Sequence, residues 1–314
     1  LHNRGDQDKP TRIFISRFGD MAAIDQDDEE NVTVTMNDGR KVPVHGYAND
    51  VSSDILIYSG AEEPETVEWD DLRRIEFAQA PPEAVPYARR IFAEVRTRRG
   101  DFEGFLMWDE SECTSIDVID ADEQDVDLGD IRHFEKLDTG SSRVTLTAGS
   151  IVDLSGTNDV DDGHRGVFIE EPGVGRVKTE WKHFLEATFH TDRGSGPARE
   201  DFEPIRELQG TVTDSEGTTF TGRVVFDLDE GWTCDIYNGY TDNREIAVPF
   251  GNIAAITKSG ESASRLTLRN GRVLDTEGGQ DTGENHAGFL IFTREGAGPV
   301  HVPWSRFQMV EFTP

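Results

Sequence analysis

Two loops of the chain set carboxylates and an imidazole at the same spacing. Asp159, Asp162, His164 and Gly166 recur as Asp281, Glu284, His286 and Gly288. Carboxylate oxygens suit Ca2+, and an imidazole beside them favours a transition metal, so a loop of this kind could hold a divalent cation. It is not an EF-hand. Counted from Asp159, Gly163 falls where a ligand is required and His164 where the sharp turn needs glycine, although Glu170 fits the last position. A third related stretch keeps Asn49, Asp50 and Asp54 but carries no His. The competing reading is an Asp-rich turn whose side chains accept local backbone N–H groups.

A second set of acids follows Trp108, namely Asp109, Glu110 and Glu112, and is echoed after Phe226 by Asp227, Asp229 and Glu230. Paired carboxylates run glycoside hydrolysis, which makes a carbohydrate-active enzyme one alternative. The same acids also read as polar hairpin tips between strands. The chain has no nucleophile elbow, zinc-protease helix, phosphate loop or dinucleotide fingerprint. Cys113 and Cys234 sit in no metal or redox spacing. The expectation is therefore a protein that is not an enzyme and has no cofactor, the alternative being a cation- or ligand-binding module that uses these Asp/His loops for a divalent cation.

Charge narrows the partners. Asp and Glu number 62 against 31 Lys and Arg, a formal net charge of −31. Such a chain repels phosphate backbones, and its short basic stretches at Arg89-Arg90 and at Arg96, Arg98 and Arg99 are flanked by acids. Nucleic acid is excluded as a partner on that balance. Only six of the basic residues are Lys, and acid excess with scarce Lys resembles the surface of proteins from salty surroundings. No apolar run approaches the length of a membrane span. The first residue is Leu rather than Met, and removal of an export signal would explain it, so a secreted or periplasmic location is expected.

The elements that must position these residues are strands, and they recur. Val32 to Gly39, Arg143 to Gly149 and Arg265 to Gly271 each lead to a similar ending around Trp69, Trp181 and Trp304, 112 and 123 residues apart. A period of that length is a domain-sized repeat. Between these copies lies another module, in which Phe102, Gly104 and Trp108 match Phe220, Gly222 and Phe226. Alternation at Val32, Val34 and Met36 marks half-buried strands. In each copy the Trp has another apolar residue three positions on, which predicts one tight helical turn before the last strand. The three Trp therefore read as core anchors rather than a sugar-stacking platform.

The module plan, with a Gly-bent second strand and a short turn before the last, resembles Sm-like and SH3-like small β-barrels. That resemblance implies an all-β chain of tandem, five-stranded, barrel-like modules and a habit of edge-to-edge assembly. Five full modules and an N-terminal fragment are expected. The first repeat spans 1–78, with a strand fragment at 11–25 and a module at 32–77. The second spans 79–190, with modules 87–137 and 143–189, and the third spans 191–314, with modules 205–257 and 265–312. A lone module of this size is marginal, so the folding unit should be a pair. Ile13, Phe14, Ile15 and Phe18 have strand character without a barrel of their own and match the stretch ending at Phe250. They are expected to pair with an exposed edge, within the chain or on a second copy, which makes the leading expectation a structural or interaction protein that joins itself or another protein through β edges.

Overall fold

The computed structural model describes residues 14, 16–46, 51, 53–58, 64–79, 88–193, 196, 204–242, 244–279, 281–282, 286–293 and 298–314. The chain is all-β, with 26 strands among these residues, and the helical residues are single 3-10 turns. No helix of the described residues is long and apolar enough to cross a membrane. Residues 1–87 with 199–205 form one compact unit, and 88–198 with 206–314 form a second.

In the first unit the strand Met21–Gln26 lies between Asn31–Met36 and Arg74–Glu76, and Lys41–His45 adds outside Asn31–Met36. Ile55–Ile57 pairs with Glu65–Val67. Alternation turns Val32, Val34 and Met36 inward, and Met21, Ala23 and Trp69 are buried in the same unit. The strand fragment expected at 11–25 is narrower here. Phe18 opens a 3-10 turn, Phe18–Asp20, whose carbonyl accepts the Met21 N–H, and the strand begins only at Met21. Ile13 and Ile15 lie outside the described residues, while Phe14 and Ser16 are described outside any strand.

The second unit has two apolar cores. One draws on residues from Ile91 to Phe189 and the other on residues from Val174 to Phe312. Among the described residues the sheets are antiparallel and none of them is closed. Strands cross between the expected modules instead. Phe92–Thr97 pairs with Phe184–His190, and Gly100–Met107 pairs with Val167–Glu171. Gln209–Asp214 likewise pairs with Phe307–Phe312, and Thr219–Phe226 with Phe289–Phe292. A chain of about 50 residues buries too little surface alone, and exchanging strands lets two such lengths share one core.

The two halves of this unit are joined by Gly175–Thr179 pairing antiparallel with Arg244–Pro249, Val177 opposite Ile246. Through this joint Val174 and Val177 enter the core built by the second half. The boundary expected near residue 190 is thus bridged by hydrogen-bonded strands.

One register occurs three times. Met21 pairs with Met36, Ile131 with Leu146 and Ile253 with Leu268; each pair is followed by a bulge, and then by Ile24 with Val34, Phe134 with Val144 and Ile256 with Leu266. The same three strands pair on their other side with Arg74–Glu76, Phe184–His190 and Phe307–Phe312, setting Ile24 opposite Ile75, Phe134 opposite Ala187 and Ile256 opposite Val310. A 3-10 turn precedes each of them, at Phe18–Asp20, Leu128–Asp130 and Phe250–Asn252.

Candidate functional site

The two acidic sets that are distant in sequence meet in space. In the first half, the strand ending at Met107 delivers Trp108, and the chain then turns through Asp109 and Glu110 with φ of 43° and 69°. Left-handed backbone at consecutive non-glycine residues is strained unless the surroundings fix it. The Asp109 carboxylate does so, because it is fully buried and accepts from the Arg165 backbone N–H, from Arg165 Nε at 3.0 Å and from Asn158 Nδ2 at 2.5 Å. These donors belong to the loop that carries Asp159 and His164. Trp108 Nε1 donates to the Asp159 carbonyl at 2.9 Å, and Asp159 Oδ2 accepts the Asp120 N–H at 2.9 Å.

His164 is wrapped in aromatic surface. Its ring stacks on Trp181 at 4.2 Å and 10°, and meets Trp108 edge-on at 4.9 Å. Asp109 Oδ1 lies 3.4 Å from Nδ1, an approach that favours the imidazolium, yet burial outweighs it and pushes the ring down to about 3. Hydrogen bonding agrees: the Gly166 N–H donates to Nδ1 at 2.9 Å, so Nδ1 carries no proton and the neutral ring holds its hydrogen on Nε2. That atom is buried without a hydrogen-bond partner. Glu112 is pushed up to about 7, chiefly by burial and then by the nearby Asp159 and Asp109 carboxylates.

The second half repeats this arrangement with different residues. Asp227 and Leu228 turn through φ of 43° and 73°, and Asp227 Oδ1 accepts the Ala287 N–H at 2.5 Å. His286 Nδ1 accepts the Gly288 N–H at 2.8 Å, and its ring stacks on Trp304 at 4.2 Å and meets Phe226 edge-on at 4.4 Å. Asp281 Oδ2 accepts the Asn238 N–H. Glu230 is driven up to about 11 by burial, with Asp281 and Asp229 adding to the shift. Each stacked Trp also carries a lysine. Lys136 and Lys258 lie 4.9 and 5.1 Å from the Trp181 and Trp304 rings and donate to those residues' carbonyls at 3.3 and 2.7 Å. In the first unit Gln26 Nε2 donates to the Trp69 carbonyl at 3.0 Å, and Asp54 accepts the Trp69 N–H at 3.0 Å.

The residues expected to bind a cation are thus divided. Asp159 and His164 sit in one cluster and Asp281 and His286 in the other, but Asp162 faces solvent and pairs with Lys136 at 2.9 Å. Glu284, Asn49 and Asp50 lie outside the described residues. Among the described residues no three His, Cys, Asp or Glu side chains are arranged to hold a metal ion. Asp109 and Asp227 accept backbone N–H groups of the His-bearing loop, which ties it to the turn after Trp108 or Phe226, while Asp159 and Asp281 fasten the same loop to the N–H groups of Asp120 and Asn238.

In the sequence these two acidic sets stand about 50 residues apart, with no local pattern that joins them. Both sets recur at nearly the same offset, 118 residues for Asp109 to Asp227 and 122 for His164 to His286. That shared offset is the signal that they belong together. Apart from the clusters, a cleft of about 280 Å³ runs along the joint between the halves, lined by Phe102, Val174, Arg244 and Arg272. Its cations are engaged, Arg244 with Asp242 at 2.8 Å and Arg272 with Glu171.

Comparison with protein-family models, with curated proteins and with solved structures finds no match to the chain.

Proposed function

We propose that this chain is a non-enzymatic structural or interaction protein, built from tandem copies of one β-module plan and working through its strand edges. The observation that carries the reading is the joint between the halves of the second unit. There Gly175–Thr179 and Arg244–Pro249 pair edge to edge, and Val174 and Val177 cross into the neighbouring core. A chain that joins its own halves this way uses β-augmentation as its mode of connection. The threefold register, the 3-10 turns at Trp69–Asp71 and Trp181–His183, and the twin Asp–His clusters support the repeat and the small-barrel likeness of its plan.

The polar clusters support a structural rather than a catalytic role. A general base must reach its substrate's proton, and His164, His286, Asp109 and Asp227 are buried beneath Trp181, Trp304 and the loops they fasten. The chain is proposed to join itself in a secreted or periplasmic setting, with no nucleic acid among its partners.

Light scattering and negative-stain microscopy on the full chain test the reading. Copies carrying a net charge of −31 repel one another, so assembly should strengthen in 1 M salt, where the screening length falls to about 3 Å. Filaments or rings are expected. A monodisperse monomer at every concentration and salt level would overturn self-association. Truncation at residue 25 would remove most of the strand Met21–Gln26, so the informative truncation ends before Phe18.

A further inference from the structure

We infer that the outer edge of Val300–Val302 receives the segment leading into the Phe18 turn of a second copy of this chain. The inference rests on the self-assembly reading and adds to it the two surfaces and their register. Val300–Val302 pairs with Phe289–Phe292 on one side and, among the described residues, with nothing on the other. Gly175–Thr179 holds the equivalent place in the first half, with Val177 corresponding to Val300 and Gly175 to Gly298. A Cβ on Gly175 would fall 2.3 Å from the Ala247 carbonyl oxygen, because the strand Arg244–Pro249 lies against it; a Cβ on Gly298 would meet nothing within 4 Å.

The donor is identified by its sequence and by what it leaves uncovered. Residues 12–17, Arg-Ile-Phe-Ile-Ser-Arg, stand before the Phe18–Asp20 turn as Arg244–Pro249 stands before the Phe250–Asn252 turn. Phe14, Ser16 and Arg17 are the described members of that segment. Phe250 and Leu128, the first residues of the equivalent turns, are fully buried, whereas Phe18 is 69% exposed. Phe18 touches Phe77 at 5.6 Å just as Phe250 touches Phe312 at 5.8 Å, but Phe77 is 36% exposed and Phe312 only 6%. The aromatic pair is present in the first unit without the cover its counterpart has.

Docking in the register of the existing joint sets Phe14 opposite Val300, as Ile246 is opposite Val177. Val300 then reaches the Phe18–Phe77 pair as Val177 reaches the core that holds Phe250 and Phe312. Donor and acceptor lie on different surfaces of each copy, so the contact is heterologous and propagates unless it closes into a ring.

Disulfide trapping reads the register directly. Two full-length chains with different tags, one Phe14→Cys and one Val300→Cys, both in a Cys113→Ser, Cys234→Ser background, are mixed, oxidised and run on a non-reducing gel. Facing residues of an antiparallel pair lie about 4.5–5.5 Å apart at Cα, within disulfide reach. The expected result is a mixed-tag dimer, formed at least about tenfold more than with Gly298→Cys in place of Val300→Cys, since strand register is specific. Oligomers by light scattering without the mixed cross-link would overturn this joint and leave self-assembly standing. Monomers throughout would overturn both. A chain carrying both cysteines that closes on itself at every concentration would overturn the assignment to a second copy.

Discussion

Replacing Glu230 by Gln should stabilise the second unit, and by an amount that grows with pH. Burial beside Asp281 and Asp229 raises the Glu230 carboxyl from 4.5 to about 11. The native state therefore keeps a proton that the unfolded chain releases. The contribution of this group to stability is fully present below the unfolded value of about 4.5 and is lost progressively as pH rises toward 11. Each pH unit above 4.5 costs about 1.4 kcal/mol, so the cost is about 1 kcal/mol at pH 5 and about 5 kcal/mol at pH 8. The pH 8 figure requires only that the folded value exceed 8, not that it equal 11. Glutamine keeps the shape of the neutral acid and has no proton to lose. Urea or thermal melts of both proteins at pH 5 and pH 8 give the comparison. At pH 8 the variant should melt on the order of 10 °C higher, and at pH 5 only slightly higher. A gain equal at both pH values, or a loss at pH 8, would refute the reasoning. Glu112 serves as an internal control. It is half-exposed and raised only to about 7, so Glu112→Gln should gain less, through solvent screening, and gain nothing further above pH 7.

Two other outcomes follow from the clusters. Asp109→Ala should lose about 2–4 kcal/mol in chemical denaturation, because it strands the buried donors of Arg165 and Asn158 and leaves Ala in a left-handed turn, whereas Asp109→Asn, which tolerates that turn, should lose less. Thermal melts with Ca2+, Zn2+ or EDTA should agree within about 1 °C, since a site that bound only the native state would raise the melting temperature. A rise with either ion would return the Asp159–His164 and Asp281–His286 loops to the role of cation sites.

Much of the backbone plan was legible because its signals are local. Alternation at Val32, Val34 and Met36 places a strand, and an aromatic with an apolar partner three residues on places the 3-10 turns at Trp69 and Trp181. What escaped is long-range. Asp109 meets the Arg165 N–H across 56 residues, and no local pattern states that two acid-rich turns will share one buried space. The upward shift of Glu230 comes first from that burial and then from the Asp281 and Asp229 carboxylates brought beside it. The strand partners escaped for a related reason: periodicity says that a residue is in a strand, not which strand it will pair with, and here the pairing crosses the expected module boundaries. Phe18 read as strand because it is aromatic and follows a β-prone run, but its position matches the first residue of a turn.

The joint at Gly175–Thr179 also governs how the second unit comes apart. Val174 and Val177 belong by sequence to one half and by packing to the other, so melting the first half strips two side chains from its neighbour's interior. Stability in such an array is a sum of each element's own energy and a nearest-neighbour coupling. Here the coupling is a shared interior rather than a surface contact, so the halves should lose structure in a single cooperative step, and severing the peptide link between them would not release either one.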